Sequence, residues 1–343
     1  MGKMPSKSGA ASRTLRWGVI GLGWFGEIHA DTLAGMPGIE LAALCTRRPQ
    51  RLSEVADRYQ VATRYTDYRR LLDDPSVDVV SITTHIQDHR DIAVDALRAG
   101  KHVLLEKPMA PSAEDCDQIL AAARQSRGLF MVGHICRFDP RIALAKEAID
   151  AGRIGRIISM HARRNLSKAI GKVVCDSISA LMGDGIHDCD LMLWFSRAKA
   201  VSVYGQEVHP DRCKYPEGGW AMMRLDNDAI AVVESVWYLP ENTPYQIDAR
   251  MEVIGTEGAI YINCGEAGLT IHDARGGRMP DTMYWPQVFG ERFGVLQAEL
   301  RYFGDCVLAG RAPERITPEE SREAVRVMAA AEQSARSGKP IPL

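Results

Sequence analysis

The feature that most restricts this chain is Gly21-Leu-Gly23-Trp-Phe-Gly26, set between a short apolar run and a helix-like segment. Three glycines at this spacing are a weak pattern alone. Directly after a strand and at the start of a helix, they demand a strand–turn–helix unit. Gly21 suits the tight turn, Gly23 lets the backbone approach a pyrophosphate, and Gly26 permits close packing of helix on strand. The helix that starts there directs its positive end at the same point, which favours an anion. Trp24 and Phe25 lie inside the turn and join the glycines as candidate contacts. The competing reading is a glycine turn without a ligand.

The residues around this unit extend the pattern. Apolar runs at 15–20, 40–45, 78–83, 102–105 and 130–132 read as strands, and 27–33, 50–59, 89–99 and 113–126 read as helices. Strand and helix in alternation predict a doubly wound parallel sheet with helices on both faces. Beyond about residue 134 the texture changes. A helix at 141–151 precedes strand-like runs at 157–162, 229–238, 250–255, 259–263 and 268–272. Gly255-Thr-Glu-Gly258 and Asn263-Cys-Gly265 look like hairpin turns, so this half is expected to hold a largely antiparallel sheet. A closing helix at 319–336 takes Thr317 as N-cap and Pro318 at its first position. The expected division is a flexible tail at 1–13, a dinucleotide-binding unit at 14–134 and a substrate and oligomerisation unit at 135–343.

Composition narrows the partners. The 343 residues suffice for two domains, and 46% hydrophobic with 25% charged residues is ordinary for a packed chain. A net charge of -2, from 42 basic and 44 acidic residues, argues against a nucleic-acid partner. No stretch is apolar enough to span a bilayer, and the tail has no apolar run behind its basic residues, so a cytoplasmic location is expected. The eight cysteines form no CxxC pair, and no HExxH is present, so neither a metal site nor a disulfide scaffold is expected.

At the end of the second strand stands Thr46, followed by Arg47 and Arg48. An acid here serves the ribose hydroxyls of NAD, whereas arginine accommodates the extra phosphate of NADP. This reading favours NADP(H) over NAD(H); the bland alternative is two solvated arginines.

Two further stretches carry a family likeness. Ala99-Gly-Lys-His-Val-Leu-Leu-Glu-Lys-Pro108 ends at the carboxyl edge of a strand, and Thr83-Thr-His-Ile-Gln-Asp-His89 follows the third strand-like run. With Gly183-Asp-Gly-Ile-His-Asp-Cys-Asp-Leu-Met-Leu-Trp194, they resemble the glucose–fructose oxidoreductase/inositol dehydrogenase/rhizopine catabolism (Gfo/Idh/MocA) family over nearly the whole chain. The resemblance implies an N-terminal Rossmann domain and a C-terminal α/β domain with a large, mostly antiparallel sheet. It implies homodimers or homotetramers built through that sheet, and a sugar, cyclitol or related polyol as substrate. It maps the catalytic lysine onto Lys107 and the catalytic histidine onto His187, and places Thr84, His85, His89 and Glu106 near the cofactor.

The chemistry of these residue types agrees with that mapping. A histidine takes a proton from an alcohol as hydride leaves carbon, and a lysine ammonium stabilises the developing oxyanion. The bland readings are Lys107 as an ion-pair partner of Glu106 and His187 as a structural residue. The family's usual acid falls four residues before the histidine, where Gly183 stands. Asp184 comes three before it, either as a catalytic helper or as a helix N-cap. Asp190 shares a helix face with His187 and is a candidate to orient it. Arg137 is expected to pin the seam between the halves, and Pro108 to follow a cis peptide. Two other functions stay open: redox-assisted glycoside cleavage with bound NAD, and a non-catalytic dinucleotide-binding regulator.

Overall fold

Buried apolar side chains on both faces of the first six strands force helices onto each side of them. In this computed structural model, which describes residues 13–265, 268–274 and 276–343, the chain alternates accordingly. It runs through β1 (Leu15–Ile20), α1 (Trp24–Ala34), β2 (Ile39–Cys45), α2 (Pro49–Arg58), β3 (Thr63–Tyr65) and α3 (Tyr68–Leu72). There follow β4 (Val79–Ile82), α4 (Ile86–Arg98), β5 (His102–Glu106), α5 (Ala113–Gln125) and β6 (Phe130–Gly133). All these strands pair in parallel, in the order β3-β2-β1-β4-β5-β6. The order reverses beside β1, the position where an open parallel sheet leaves a crevice for ligands at its carboxyl edge. The expected parallel sheet is present; β3 and α3, of three and five residues, are additions to it.

The second half opens with α6 (Pro140–Asp150), β7 (Ile157–Ser167), α7 (Lys168–Val174) and α8 (Ile186–Ser196). Next come β8 (Ala200–Val208), β9 (Gly218–Leu225), β10 (Ile230–Leu239), β11 (Ile247–Gly255) and β12 (Ala259–Asn263). Two small hairpins follow, β13 (Ile271–Asp273) with β14 (Gly276–Arg278) and β15 (Gln287–Val288) with β16 (Glu291–Arg292). The chain ends through α9 (Val295–Ala309), α10 (Pro318–Ser337) and β17 (Ile341–Pro342). Seven strands form one sheet in the order β12-β11-β7-β10-β9-β8-β17. Every pair is antiparallel except β7 with β10.

Sequence and structure differ at some boundaries. Gly255–Gly258 does turn β11 into β12, but Asn263–Gly265 leads out of the sheet, with Asn263 Oδ1 accepting from Gly265 N. The run at 268–272 is strand only from Ile271. Most of the expected tail lies outside the described residues. Thr317 caps α10 in a reciprocal box with Glu320, with Pro318 at the first position. One face of the large sheet packs on α8 and α10; the other leaves Trp220, Met222, Ile230 and Ile254 exposed. Among the described residues, no helix is long and apolar enough to cross a membrane.

Candidate active site

The glycine turn is built as its residue types require. Gly21 sits at φ +99°, and a Cβ there would lie 2.8 Å from the Thr83 backbone. A Cβ on Gly26 would fall 1.9 Å from Gly21 O, so side chains are excluded where turn and helix meet. Around Gly23 there is open space, and this residue is also the N-cap of α1, with no side chain satisfying the first-turn N–H groups. The hydroxyl of Thr83 donates to Gly21 O at 2.6 Å and braces the turn. Beside it, the buried Thr84 Oγ1 has no partner among the described residues. An open glycine, free helix N–H groups and an orphaned hydroxyl fit a dinucleotide pyrophosphate.

The side chains of Trp24 and Phe25 go elsewhere. Trp24 is 66% exposed and meets Trp285 edge-on, and Phe25 packs between His29 and Trp285. Only their backbone faces the turn's anion position. Thr46 is nearly buried, Arg47 pairs with Asp88 at 2.8 Å, and Arg48 donates to Leu22 O at 2.9 Å. Arg51 donates to the same carbonyl, so Arg48 serves as a brace of the glycine turn. His85 is the N-cap residue of α4 without a side-chain capping bond. His89 lies one turn into that helix, buried between Pro108 O at 2.9 Å and Thr84 O at 3.1 Å. Burial pulls its pKa below the ordinary value, and a neutral ring donates to only one of these carbonyls. Glu106 turns into the core, where its carboxylate meets His29 Nε2 at 3.2 Å and the Lys107 N–H at 3.3 Å. It is therefore neither a wall of the crevice nor an ion-pair partner of the Lys107 ammonium.

Lys107 leaves β5 through a cis peptide to Pro108, as expected, and its Nζ crosses to the second half. There it donates to Gly183 O at 2.7 Å and stands 3.9 Å from Asp184 Oδ1. Residues Leu181–Gly185 wind as a π-turn before α8, closing their hydrogen bonds one residue further along than an α-helix does. That wider turn brings Asp184 to Lys107 although it lies three, not four, residues before His187. Asp184 is not a helix cap. Gly185 holds that position without a side-chain bond, and the Asp184 carboxylate accepts from Trp237 Nε1 at 2.7 Å.

His187 is buried on the first turn of α8. Its Nδ1 contacts Cys136 Sγ at 3.5 Å, and its Nε2 has no protein partner among the described residues. Burial, then the charges of Lys107 and Arg164, hold its pKa well below the ordinary value. Asp190 does not orient it. That carboxylate is gripped by Arg137 through two bonds of 2.9 and 2.7 Å, and Arg137 also reaches Arg315 O and Glu320. All of these partners lie within residues 135–343, so Arg137 holds α8 and the head of α10 to the turn after β6 rather than bridging the two halves. Asp188 is likewise held by Arg164 at 3.1 and 2.8 Å. Arg163 and Arg164 both lie on β7: Arg164 faces α8, while Arg163 pairs with Asp248 at 3.0 Å. Among the described residues, no three His, Cys, Asp or Glu gather as metal ligands.

Trp237, the Gly183 carbonyl, Cys136 and Arg164 were not singled out by sequence reasoning. Strand alternation marks Trp237 as inward-facing, but nothing local marks its indole as the partner of Asp184.

Comparison with known proteins gives the family and the fold. Residues 15–134 match the model of the oxidoreductase family with NAD-binding Rossmann fold, and residues 142–261 match the GFO/IDH/MocA C-terminal domain. The chain is 30% identical over 337 residues to scyllo-inositol 2-dehydrogenase (NAD(+)) of Bacillus subtilis (strain 168), covering 96% of each chain. It is 26% identical to myo-inositol 2-dehydrogenase of Thermotoga maritima, covering 96% of this chain and 98% of that one. The scyllo-inositol dehydrogenase from Lactobacillus casei with bound NAD(H) and scyllo-inositol superposes with a TM-score of 0.84 at 25% identity, covering 96% of this chain and 99% of the other.

Proposed function

The chain belongs to the GFO/IDH/MocA oxidoreductase family, and from that premise we propose that it oxidises or forms a CH–OH group on a cyclitol, sugar or related polyol with a nicotinamide dinucleotide. One observation carries the reading: Lys107 Nζ, Asp184 and His187 converge at the carboxyl edge of the sheet whose first turn is the glycine cradle. The dinucleotide, when bound, supplies the hydride acceptor or donor. Lys107 stabilises negative charge developing on the alcohol oxygen, and His187, held neutral, takes the proton at Nε2. Asp184, itself fixed by Trp237, orients the Lys107 ammonium.

For the cofactor we propose NAD(H), the dinucleotide named for the Bacillus subtilis relative and bound in the Lactobacillus casei structure. A second reading, NADP(H), is favoured by the absence of a carboxylate at Thr46 and by the exposed Arg47, whose ion pair with Asp88 a phosphate can replace. We assign the dinucleotide unit to residues 14–134 and the substrate unit to 135–343. Self-association is assigned to the open sheet face that carries Trp220 and Met222, and the location to the cytoplasm.

The test is a panel of cyclitols and sugars with NAD(+) and NADP(+), followed by nicotinamide absorbance and by product analysis. Net reduction of the cofactor supports the reading. Glycoside cleavage without net reduction assigns redox-assisted hydrolysis instead, and tight cofactor binding with neither reaction assigns a regulator.

A further inference from the structure

His187 has an unusual neighbour on its inner nitrogen. A histidine base is commonly held by a carboxylate or a backbone carbonyl, which fixes Nδ1 as donor, and a carboxylate also favours the imidazolium. Here two carboxylates lie close in sequence, Asp188 and Asp190, yet each is held by an arginine through two bonds. What faces Nδ1 is the buried thiol of Cys136, at 3.5 Å, from the short 3-10 turn Ile135–Phe138 that joins β6 to α6.

The other groups around the ring come from every packed element. Lys107 comes from the end of β5, His134 from the end of β6 and Arg164 from β7, while Asp184 of the π-turn faces the Lys107 ammonium. Behind the thiol stand Cys264, Tyr284, Asp139 and the Arg164–Asp188 pair. Burial pushes the Cys136 thiol up to about 12, so it stays protonated and offers no counter-charge to an imidazolium.

A thiol is both a weak donor and a weak acceptor. It gives S–H to a bare Nδ1 when Nε2 carries the proton, and accepts from Nδ1–H when Nε2 is bare. We propose that Cys136 is a positioning residue that holds the His187 ring by accepting from Nδ1–H without offering a counter-charge, so that the bare Nε2 takes a proton in alcohol oxidation and the imidazolium so formed gives it up in carbonyl reduction. This rests on the function proposed above. In oxidation the alcohol O–H proton passes to Nε2, making the ring an imidazolium, as the C–H hydride leaves for the nicotinamide; in reduction that imidazolium returns the proton to the oxygen as the hydride arrives, and the thiol keeps its proton throughout.

The experiment compares the full-length protein with Cys136→Ala and Cys136→Ser. The ring 15N shifts of His187 are followed against pH without substrate, with His187→Gln used to identify the signal. The kcat and KM are measured in both directions. We expect Cys136→Ser, also a donor and acceptor, to keep the wild-type shifts and both kcat values within about twofold. Cys136→Ala is expected to change the Nδ1 shift and to lower kcat by about tenfold in at least one direction, with KM little changed. Unchanged shifts and kcat in Cys136→Ala overturn the proposal, as does a Cys136→Ser variant no better than alanine. The ring shifts need no turnover, so they separate the two claims. If the shifts respond but no cyclitol, sugar or polyol is turned over in any variant, Cys136 keeps its place at Nδ1 and the proposed function fails.

Discussion

The two halves of the molecule prepare their ligand sites by opposite means. In the first half the work falls to the backbone: a turn at Gly21, open space at Gly23 and unpaired N–H groups at the head of α1. The side chains there point away, Trp24 and Phe25 to Trp285 and Glu106 into the core. In the second half the work falls to side chains fixed by other side chains. Asp184 is set by Trp237, and α8 is held by Arg137 and Arg164 through Asp190 and Asp188. Lys107 crosses from one half to the other. Binding a common cofactor part through main-chain amides demands glycines, whereas proton transfer demands placed and tuned side chains.

That contrast separates variants that lose chemistry from variants that lose binding. The largest effect is expected at the crossing point. Lys107→Ala and His187→Ala should each lower kcat by about a hundredfold or more while dinucleotide affinity persists. Turnover at wild-type rates in both would break the assignment. Next come the glycines. Gly26→Ala puts a Cβ against the Gly21 carbonyl and should cost about 1–3 kcal/mol of stability along with cofactor binding. Gly23→Ala has room in the protein, so its Tm should hold while affinity for the dinucleotide falls about tenfold or more. Equal losses of Tm in the two, by calorimetry, would dissolve the distinction between a packing glycine and a ligand-facing one.

Trp237→Phe removes the N–H that fixes Asp184 together with one ring of a buried side chain, and a lower Tm with a several-fold drop in kcat and unchanged cofactor affinity is expected. A separate effect, common to the whole fold, is a slope against pH. His89, His134 and His187 are all buried with pKa values below 6.5, chiefly through burial. Unfolding returns them to ordinary values, so the unfolded state binds more protons below about pH 6.5. Stability is therefore complete above that pH and falls as pH drops through it, by up to about 1.4 kcal/mol per unit for each ring. Denaturant midpoints measured from pH 7.5 to 5.5 should fall; a flat profile would mean that the rings are charged in the fold or already neutral when unfolded.

The difference between the halves also explains what could be read in advance. The glycine turn and five of the six parallel strands announce themselves in local patterns, because each depends on residues adjacent in the chain, whereas Lys107 and His187 are singled out by the family resemblance. β3 and α3 are too short for a periodic signal. α9 begins at Gly294 without a capping side chain and carries Gly304 in its interior, which blurs its start and its period. The parallel pairing of β7 with β10 comes from sheet order, which no segment records. Asp184 looks like a cap because spacing assumes α-helical turns, and the π-turn breaks that assumption. Cys136 meets His187 across 51 residues, and Trp237 meets Asp184 across 53, so neither contact leaves a local trace.

The central claim is that the glycine cradle binds a nicotinamide dinucleotide independently of the side chains that carry the chemistry. Titration of NADH and NADPH by nicotinamide fluorescence, on wild type, Gly23→Ala and the double variant Lys107→Ala/His187→Ala, tests it most directly. The account predicts tight saturable binding by wild type and the double variant and strongly weakened binding by Gly23→Ala. Loss of binding in the double variant with retention in Gly23→Ala, or no binding of either dinucleotide by wild-type protein freed of retained nucleotide, would contradict it.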